Sequence, residues 1–208
     1  MIYTTVPVIA AYLLGAMPTA YIFARVLKGI DIREHGSGNV GATNVVRTVG
    51  KVPGIIVLVI DFLKGIAAVT LIPLLMKTFF PELDVNYGDL CIFLGAAVIS
   101  GHIWTVFLAF KGGKGVATTA GVIVGLYPWI FLGCLLIWVA VFAVWKYVSV
   151  ASITAAVALP IISVIAGKDL KVVLFTSLLC IFGIYKHRAN IKRLIQGKET
   201  RIVKVKNH

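Results

Sequence analysis

GVATTAGVIVGLYPWIFLGCLLIWVAVFAVWK, running from Gly115 to Lys146, is the stretch whose reading decides the fold. It is apolar almost throughout. As one helix it would reach about 45 Å, against a hydrocarbon core of about 30 Å. It carries Tyr127-Pro128 near its middle, so it is either one overlong span or two shorter ones. The choice rests on the charges of the segments around it.

Other apolar runs fall at about 3–27, 53–80, 89–110, 148–166 and 170–186. The gap at 28–52 carries Lys28, Arg33, Arg47 and Lys51, the gap at 111–114 carries Lys111 and Lys114, and the tail is strongly basic. The gap near 81–89 instead carries Glu82, Asp84 and Asp89. Basic loops stay on the cytoplasmic side, which places the acidic gap outside. The tail returns to the cytoplasm only if an even number of spans separates Lys114 from Lys186. Splitting at Pro128, into about 113–127 and 129–146, satisfies this. The expectation is an all-α polytopic bundle of seven transmembrane helices, N-terminus outside and C-terminus cytoplasmic. A five-span version, fusing the last runs through Pro160, has the same parity but overlong helices. Residues 1–208 are read as a single integral-membrane catalytic domain, and the opening Met1-Ile-Tyr-Thr-Thr lacks the basic start of a signal peptide.

Composition agrees. Of 208 residues 60% are hydrophobic and 13% charged, against about 45–50% and 25% in soluble domains. The net charge of +12 would suit nucleic acid, but eight of the twenty Lys and Arg follow Tyr185. In a membrane chain such clusters report orientation and affinity for anionic lipid headgroups. No nucleic-acid partner is expected. Cys91, Cys134 and Cys180 lie inside apolar runs without metal or disulfide spacing and read as buried hydrophobes.

Three polar segments share the expected cytoplasmic face. The first, His35-Gly-Ser-Gly-Asn-Val-Gly-Ala-Thr-Asn-Val-Val-Arg47, matches G-x-G-x-x-G from Gly36 to Gly41, with Asp61 further on. The dinucleotide reading fails, because the fingerprint needs a preceding strand and a soluble βαβ unit. Its Ser37, Gly38, Asn39, Thr43 and Asn44 can instead cradle an anion, with Arg47 supplying a bidentate cation. A glycine-rich turn whose arginine meets lipid phosphate remains the simpler reading.

The second segment is Lys111-Gly-Gly-Lys-Gly115, preceded by Gly101-His102. It is no Walker A loop, but Lys111, Gly112, Gly113, Lys114 and Gly115 opening a helix make a phosphate seat. A tight interfacial turn with orienting lysines is the alternative. His102 either lines a pocket or bonds a neighbouring helix. The third segment, Tyr185-Lys-His-Arg-Ala-Asn-Ile-Lys-Arg-Leu194, sets His187 and Asn190 on one helical face. A basic lipid anchor would look similar. Asp61 and Lys64, in the second apolar run, are read as a structural ion pair.

The absences narrow the chemistry. No His-x4-Asp follows His35, His102 or His187, no G-x-S-x-G elbow exists, and no Cys/His metal spacing appears. The collected groups are donors and cations, suited to phosphate. No metal and no cofactor are expected.

On these segments the chain resembles the bacterial acyl-phosphate:glycerol-3-phosphate acyltransferases, the PlsY family. The matching text is Gly36-S-G-N-V-G-A-T-N-V-V-Arg47, Gly101-His102 with Phe110-K-G-G-K-G-V-A-Thr118, and His187-R-A-N-I-K-R-Leu194 followed by Gly197-K-Glu199. Asp61-Phe-Leu-Lys-Gly65 also looks like theirs, whereas Ile103-Trp104-Thr105 departs from the Phe-Pro common after the histidine. The resemblance implies a seven-span fold in the bacterial plasma (inner) membrane, with the active site facing the cytoplasm. It implies fatty acyl transfer from acyl phosphate to the sn-1 hydroxyl of glycerol 3-phosphate, the first acylation step of phospholipid synthesis. Ser37 and Arg47 match first-motif residues important for activity. Gly112, Gly113, Lys114 and Gly115 match the glycerol-phosphate loop, His187 and Asn190 the third-motif pair, and Glu199 a residue tied to integrity. The expected partners are the two substrates, membrane lipids, an enzyme that forms acyl phosphate and a second acyltransferase that takes the product. A transporter of phosphorylated metabolites and a basic scaffold without chemistry are the competing classes.

Overall fold

The computed structural model describes residues 2–201, and every regular element among them is helical. The tail residues Lys204 and Lys206, counted above in the basic C-terminus, lie outside the described residues. Two compact units are formed, Met1–Leu126 and Tyr127–His208.

In the first unit, α1 (Ile2–Ala16) and α2 (Thr19–Lys28) divide the opening apolar run. The break falls at Met17-Pro18, because proline has no N–H to donate and disfavours helix in the residue before it. A short helix, α3 (Ala42–Thr48), leads into α4 (Lys51–Phe79). Asn86 then caps α5 (Tyr87–Ile103), its side-chain oxygen accepting from the N–H groups of Gly88 and Asp89. After a loop the chain enters α6 (Val116–Leu126).

The pairs α1–α5 and α4–α6 pack backbone to backbone at glycines. A Cβ at Gly15 would lie 2.0 Å from the Val98 carbonyl oxygen, and one at Gly101 would lie 2.1 Å from that of Tyr12. At Gly65 and Gly121 the same construction meets the Thr118 and Phe62 carbonyls at 2.3 and 2.0 Å. Small residues at such crossings give close van der Waals contact where lipid supplies no hydrophobic drive.

The second unit holds α7 (Pro128–Trp145), α8 (Val148–Ile165), α9 (Leu170–Lys186) and α10 (Arg188–Ile195). The long run does divide at Tyr127-Pro128, with Pro128 opening α7, the position where its missing N–H costs nothing. The Trp138 indole donates to Ser152 Oγ at 3.1 Å between α7 and α8. Asp169 caps α9, accepting from Val172 N–H at 2.9 Å, and α10 turns 53° from α9. Along the long helices of both units large apolar side chains face outward, among them Leu13, Leu58, Leu136 and Leu178. A soluble domain would bury such a surface.

Five helical segments among the described residues are long and apolar enough to cross a membrane, the broken α1–α2 pair counting once; the bent α9–α10 pair makes a sixth. The eleven residues of α6 reach about 16 Å, half the hydrocarbon thickness. By length alone α6 does not span.

Candidate active site

The first polar segment is folded around one amide. Asn44 is 1% exposed. Its Oδ1 accepts from Ser37 N–H at 2.9 Å, and its Nδ2 lies 3.2, 3.0 and 3.1 Å from the carbonyls of Ile32, His35 and Asn39. Two amide hydrogens shared among three carbonyls leave nothing to offer a ligand. Asn44, expected to help cradle an anion, instead shapes the loop that carries Ser37. Gly36 and Gly38 adopt φ of +61° and +69°, and a Cβ at Gly36 would lie 2.3 Å from Asn44 Oδ1. Ser37 and Gly38 are exposed, Asn39 and Thr43 half-buried, and Arg47 is exposed in the last turn of α3. Asp31 accepts from both the N–H and the guanidinium of Arg33, which hold its carboxyl down at about 2.

Replacing Asn44 by the near-isosteric aspartate keeps the acceptor for Ser37 but turns a carboxylate oxygen toward three carbonyls. A loss of at least about 2 kcal/mol is expected from the missing and repulsive contacts. Thermal unfolding in detergent should show it as a clearly lowered Tm.

The second polar segment doubles back on α5. Ala109 and Phe110, at φ +51° and +61°, are non-glycine residues in the sparsely populated left-handed region. They reverse the chain so that Gly112 N–H donates to Ile103 O at 3.1 Å and Gly113 N–H to His102 O at 3.0 Å. These two amides, expected to face phosphate, complete the C-terminal end of α5. At Gly112 and Gly113 there is no room for a side chain. A Cβ at Gly112 would meet His102 O at 2.1 Å, and one at Gly113 would meet His102 Nε2 at 2.2 Å and Val40 O at 2.6 Å. Gly115 is buried at φ +81°, Lys114 is half-buried and Lys111 exposed. At Gly113 and Val40 the first and second polar segments therefore meet.

Beneath them lies the break between α1 and α2. Lys64 Nζ donates to the Gly15 and Met17 carbonyls at 2.9 and 3.4 Å, at the negative end of α1. Asp61 accepts from Thr19 Oγ1 at 3.1 Å, at the positive end of α2. The two charges lie 2.9 Å apart with side chains 4% exposed, so each complements a helix terminus and the other charge. Thr105 Oγ1 donates to Ala16 O, another carbonyl of the break. Sequence reading passed over Thr19 and Thr105; the signal was Met17-Pro18 inside an apolar run, which frees carbonyls that some donor must satisfy.

In the second unit, His187 is 3% exposed and its Nδ1 lies 2.8 Å from Gly183 O. A carbonyl only accepts, so the hydrogen is on Nδ1, and Nε2 is the basic nitrogen of the neutral ring. Asn190 Nδ2 donates to Glu199 Oε1 at 2.6 Å. Glu199 also accepts from Ser149 Oγ at 2.9 Å and from Arg193 Nε at 2.7 Å. Gly197, at φ +66°, turns the chain after α10 so that the carboxylate can return. Ser149 and Arg193 are further residues the sequence did not single out, because only that turn brings them to Glu199.

Burial pushes the Glu199 carboxyl up, but hydrogen bonds from Asn190, Arg193 and Ser149 and the charge of Arg193 outweigh it, leaving it below its ordinary value of 4.5. A lowered folded-state pKa stabilises fully above the unfolded value and is lost as pH falls through the folded one. Wild-type Tm should therefore drop below about pH 4.5 more steeply than that of Glu199→Gln. Equal pH profiles would mean the carboxylate charge contributes nothing.

A family model described as glycerol-3-phosphate acyltransferase matches residues 5–197. A glycerol-3-phosphate acyltransferase of Desulforamulus reducens is 45% identical over 199 residues, covering 96% of this chain and 95% of that one. Its counterpart from Desulforudis audaxviator is 47% identical over 191 residues, covering 92% and 91%. The crystal structure of PlsY, an integral membrane glycerol 3-phosphate acyltransferase, in its glycerol 3-phosphate form superposes with a TM-score of 0.85 at 40% identity, covering 96% of both chains. The lysophosphatidic acid form gives 0.81 at 40% identity. An all-helical chain with apolar outward faces and glycine-rich polar loops thus matches its relatives along nearly its whole length, and it belongs to the integral-membrane glycerol-3-phosphate acyltransferase family.

Proposed function

We propose that this chain, acting as one catalytic domain over residues 1–208, transfers a fatty acyl group from acyl phosphate to the sn-1 hydroxyl of glycerol 3-phosphate. The products are 1-acylglycerol 3-phosphate and inorganic phosphate. The observation that carries the reading is the meeting of the two glycine-rich segments at Val40 and Gly113, with Ser37, Arg47 and Lys114 on those same segments. Cations and hydroxyls gathered on short, pinned loops suit a phosphate-bearing substrate.

An acyl phosphate is a mixed anhydride whose phosphate leaves readily, so no covalent enzyme intermediate is required. The glycerol oxygen attacks the acyl carbon, the tetrahedral intermediate collapses, and the C–O bond to phosphate breaks. Arg47 and Lys114 hold phosphate charge and favour the developing oxyanion, and Ser37 orients the acceptor. The hydroxyl proton leaves through a histidine or on the departing phosphate. Near-normal turnover in both His187→Ala and His102→Ala would assign it to the phosphate.

The chain crosses the bacterial plasma membrane seven times in this reading, N-terminus outside, with α6 and its preceding buried glycine segment making the fourth crossing and the site facing the cytoplasm. Acyl phosphate arrives from the enzyme that forms it, and the product passes to a second acyltransferase. A broken helix with intramembrane charges also occurs in transporters. Here, however, Asp61 and Lys64 already occupy the freed helix ends, which favours the enzyme.

The test supplies purified protein with radiolabelled glycerol 3-phosphate and either palmitoyl phosphate or palmitoyl-CoA. Labelled lysophosphatidate from acyl phosphate alone is expected. Product only from the thioester would overturn the donor, and no product from folded protein would overturn the reaction.

A further inference from the structure

We infer that Asp61 and His102 form a positioning pair that fixes the Gly112–Gly113 segment and thereby sets affinity for the acceptor, a role that rests on assigning this segment to glycerol 3-phosphate. Asp61 lies midway along α4 and His102 in the last turn of α5, their side chains 4% and 9% exposed. The carboxylate is already neutralised by Lys64 at 2.9 Å. Its Oδ1 also faces His102 Nδ1 at 3.8 Å. That is beyond direct hydrogen-bond reach, but the carboxylate's field favours the hydrogen on Nδ1 and leaves Nε2 as the acceptor that faces the loop.

On its other edge the ring is the floor of the glycine segment. The Cβ that Gly113 lacks would fall 2.2 Å from Nε2 and 3.0 Å from Cε1, and the Cβ that Gly112 lacks would fall 2.1 Å from the carbonyl of the same histidine. His102 thus supports consecutive loop residues, one through its ring and one through its backbone. A cavity of about 10 Å³ between Asp61, His102, Thr19, Thr105, Gly112 and Gly113 has room and polar partners for one water. The ion pair therefore reaches two ways, with Lys64 completing the broken helix and Asp61 bracing the ring under the loop.

A histidine that merely fills space would change stability and leave substrate affinity alone. In the positioning role, His102→Ala raises KM for glycerol 3-phosphate by about 10- to 100-fold, the scale of a displaced binding loop. Its kcat and the donor KM change much less than the acceptor KM, because the ring touches only the acceptor's loop. His102→Gln, whose amide reaches the place of Nε2, restores most of the affinity. Asp61→Asn raises KM in the wild-type background but raises it less in His102→Ala, because the effect that passes through the ring is already lost there.

Hydrogen exchange of the peptide spanning 103–116 gives a readout that does not depend on turnover. His102→Ala should speed exchange at Gly112 and Gly113, and His102→Gln should slow it again. Unchanged exchange in folded His102→Ala protein would overturn the pair, whatever the enzyme acylates. Faster exchange with an unchanged KM would leave the pair standing and remove the loop from acceptor binding, overturning the affinity role.

Discussion

Arg47→Ala is expected to lower acyl transfer at least about 100-fold, the loss seen when one preorganised charge-stabilising donor is removed. Its Tm should stay close to wild type, because Arg47 is exposed in the last turn of α3. Asn44, one turn earlier, holds the loop, and Val45 is fully buried. Arg47→Lys should recover only part of the activity, since an ammonium keeps the charge but loses the planar fork that matches a phosphate. Steady-state rates with palmitoyl phosphate and calorimetry on the same preparations separate the two effects. Activity within threefold of wild type in Arg47→Ala would remove this residue from the site.

Gly121→Val is expected to prevent the first unit from assembling. A Cβ at this position would lie 2.0 Å from the Phe62 carbonyl oxygen, and one at the facing Gly65 would lie 2.3 Å from Thr118 O. Both close contacts are to backbone, so no side chain can swing aside. Helices α4 and α6 must separate, forfeiting their contact and shifting Asp61 and Lys64, which sit on the same stretch of α4. Size-exclusion profiles in mild detergent should show loss of the monodisperse peak, and acyl transfer should be undetectable. Gly133→Ala is the control: its Cβ meets only the flexible end of Ile162, at 3.2 Å. A monodisperse, active Gly121→Val protein would mean that α4 and α6 do not pack as described.

Much of the fold was legible in the sequence because membrane helices declare themselves by composition. A long apolar run must satisfy its backbone internally and so becomes a helix. The division at Tyr127-Pro128 followed from length and charge parity, and it is where α6 ends and α7 begins. The break at Met17-Pro18 went unread, although the same rule for proline applies there. The run was short enough to be taken as one span, and nothing in its letters showed that Lys64, Thr19 and Thr105 would satisfy the opened ends.

The site was legible as residue types and not as roles. Glycines, amides and cations in polar gaps pointed to an anion, because side-chain chemistry is local. Which donors remain for a ligand is not local. Asn44 and the N–H groups of Gly112 and Gly113 carry the right chemistry, yet they are consumed by carbonyls of Ile32, His35, Asn39, Ile103 and His102. Composition and motif spacing alone establish that the chain is a helical membrane protein, where its polar loops fall, and that phosphate is the chemistry they suit. It takes the packed helices to show that Asp61 and Lys64 complete a broken helix, that Gly113 meets Val40 over His102, and that Glu199 gathers Ser149, Asn190 and Arg193. A hydrogen bond depends on distance and direction to a partner, here often dozens of residues away, and those are set when the helices pack.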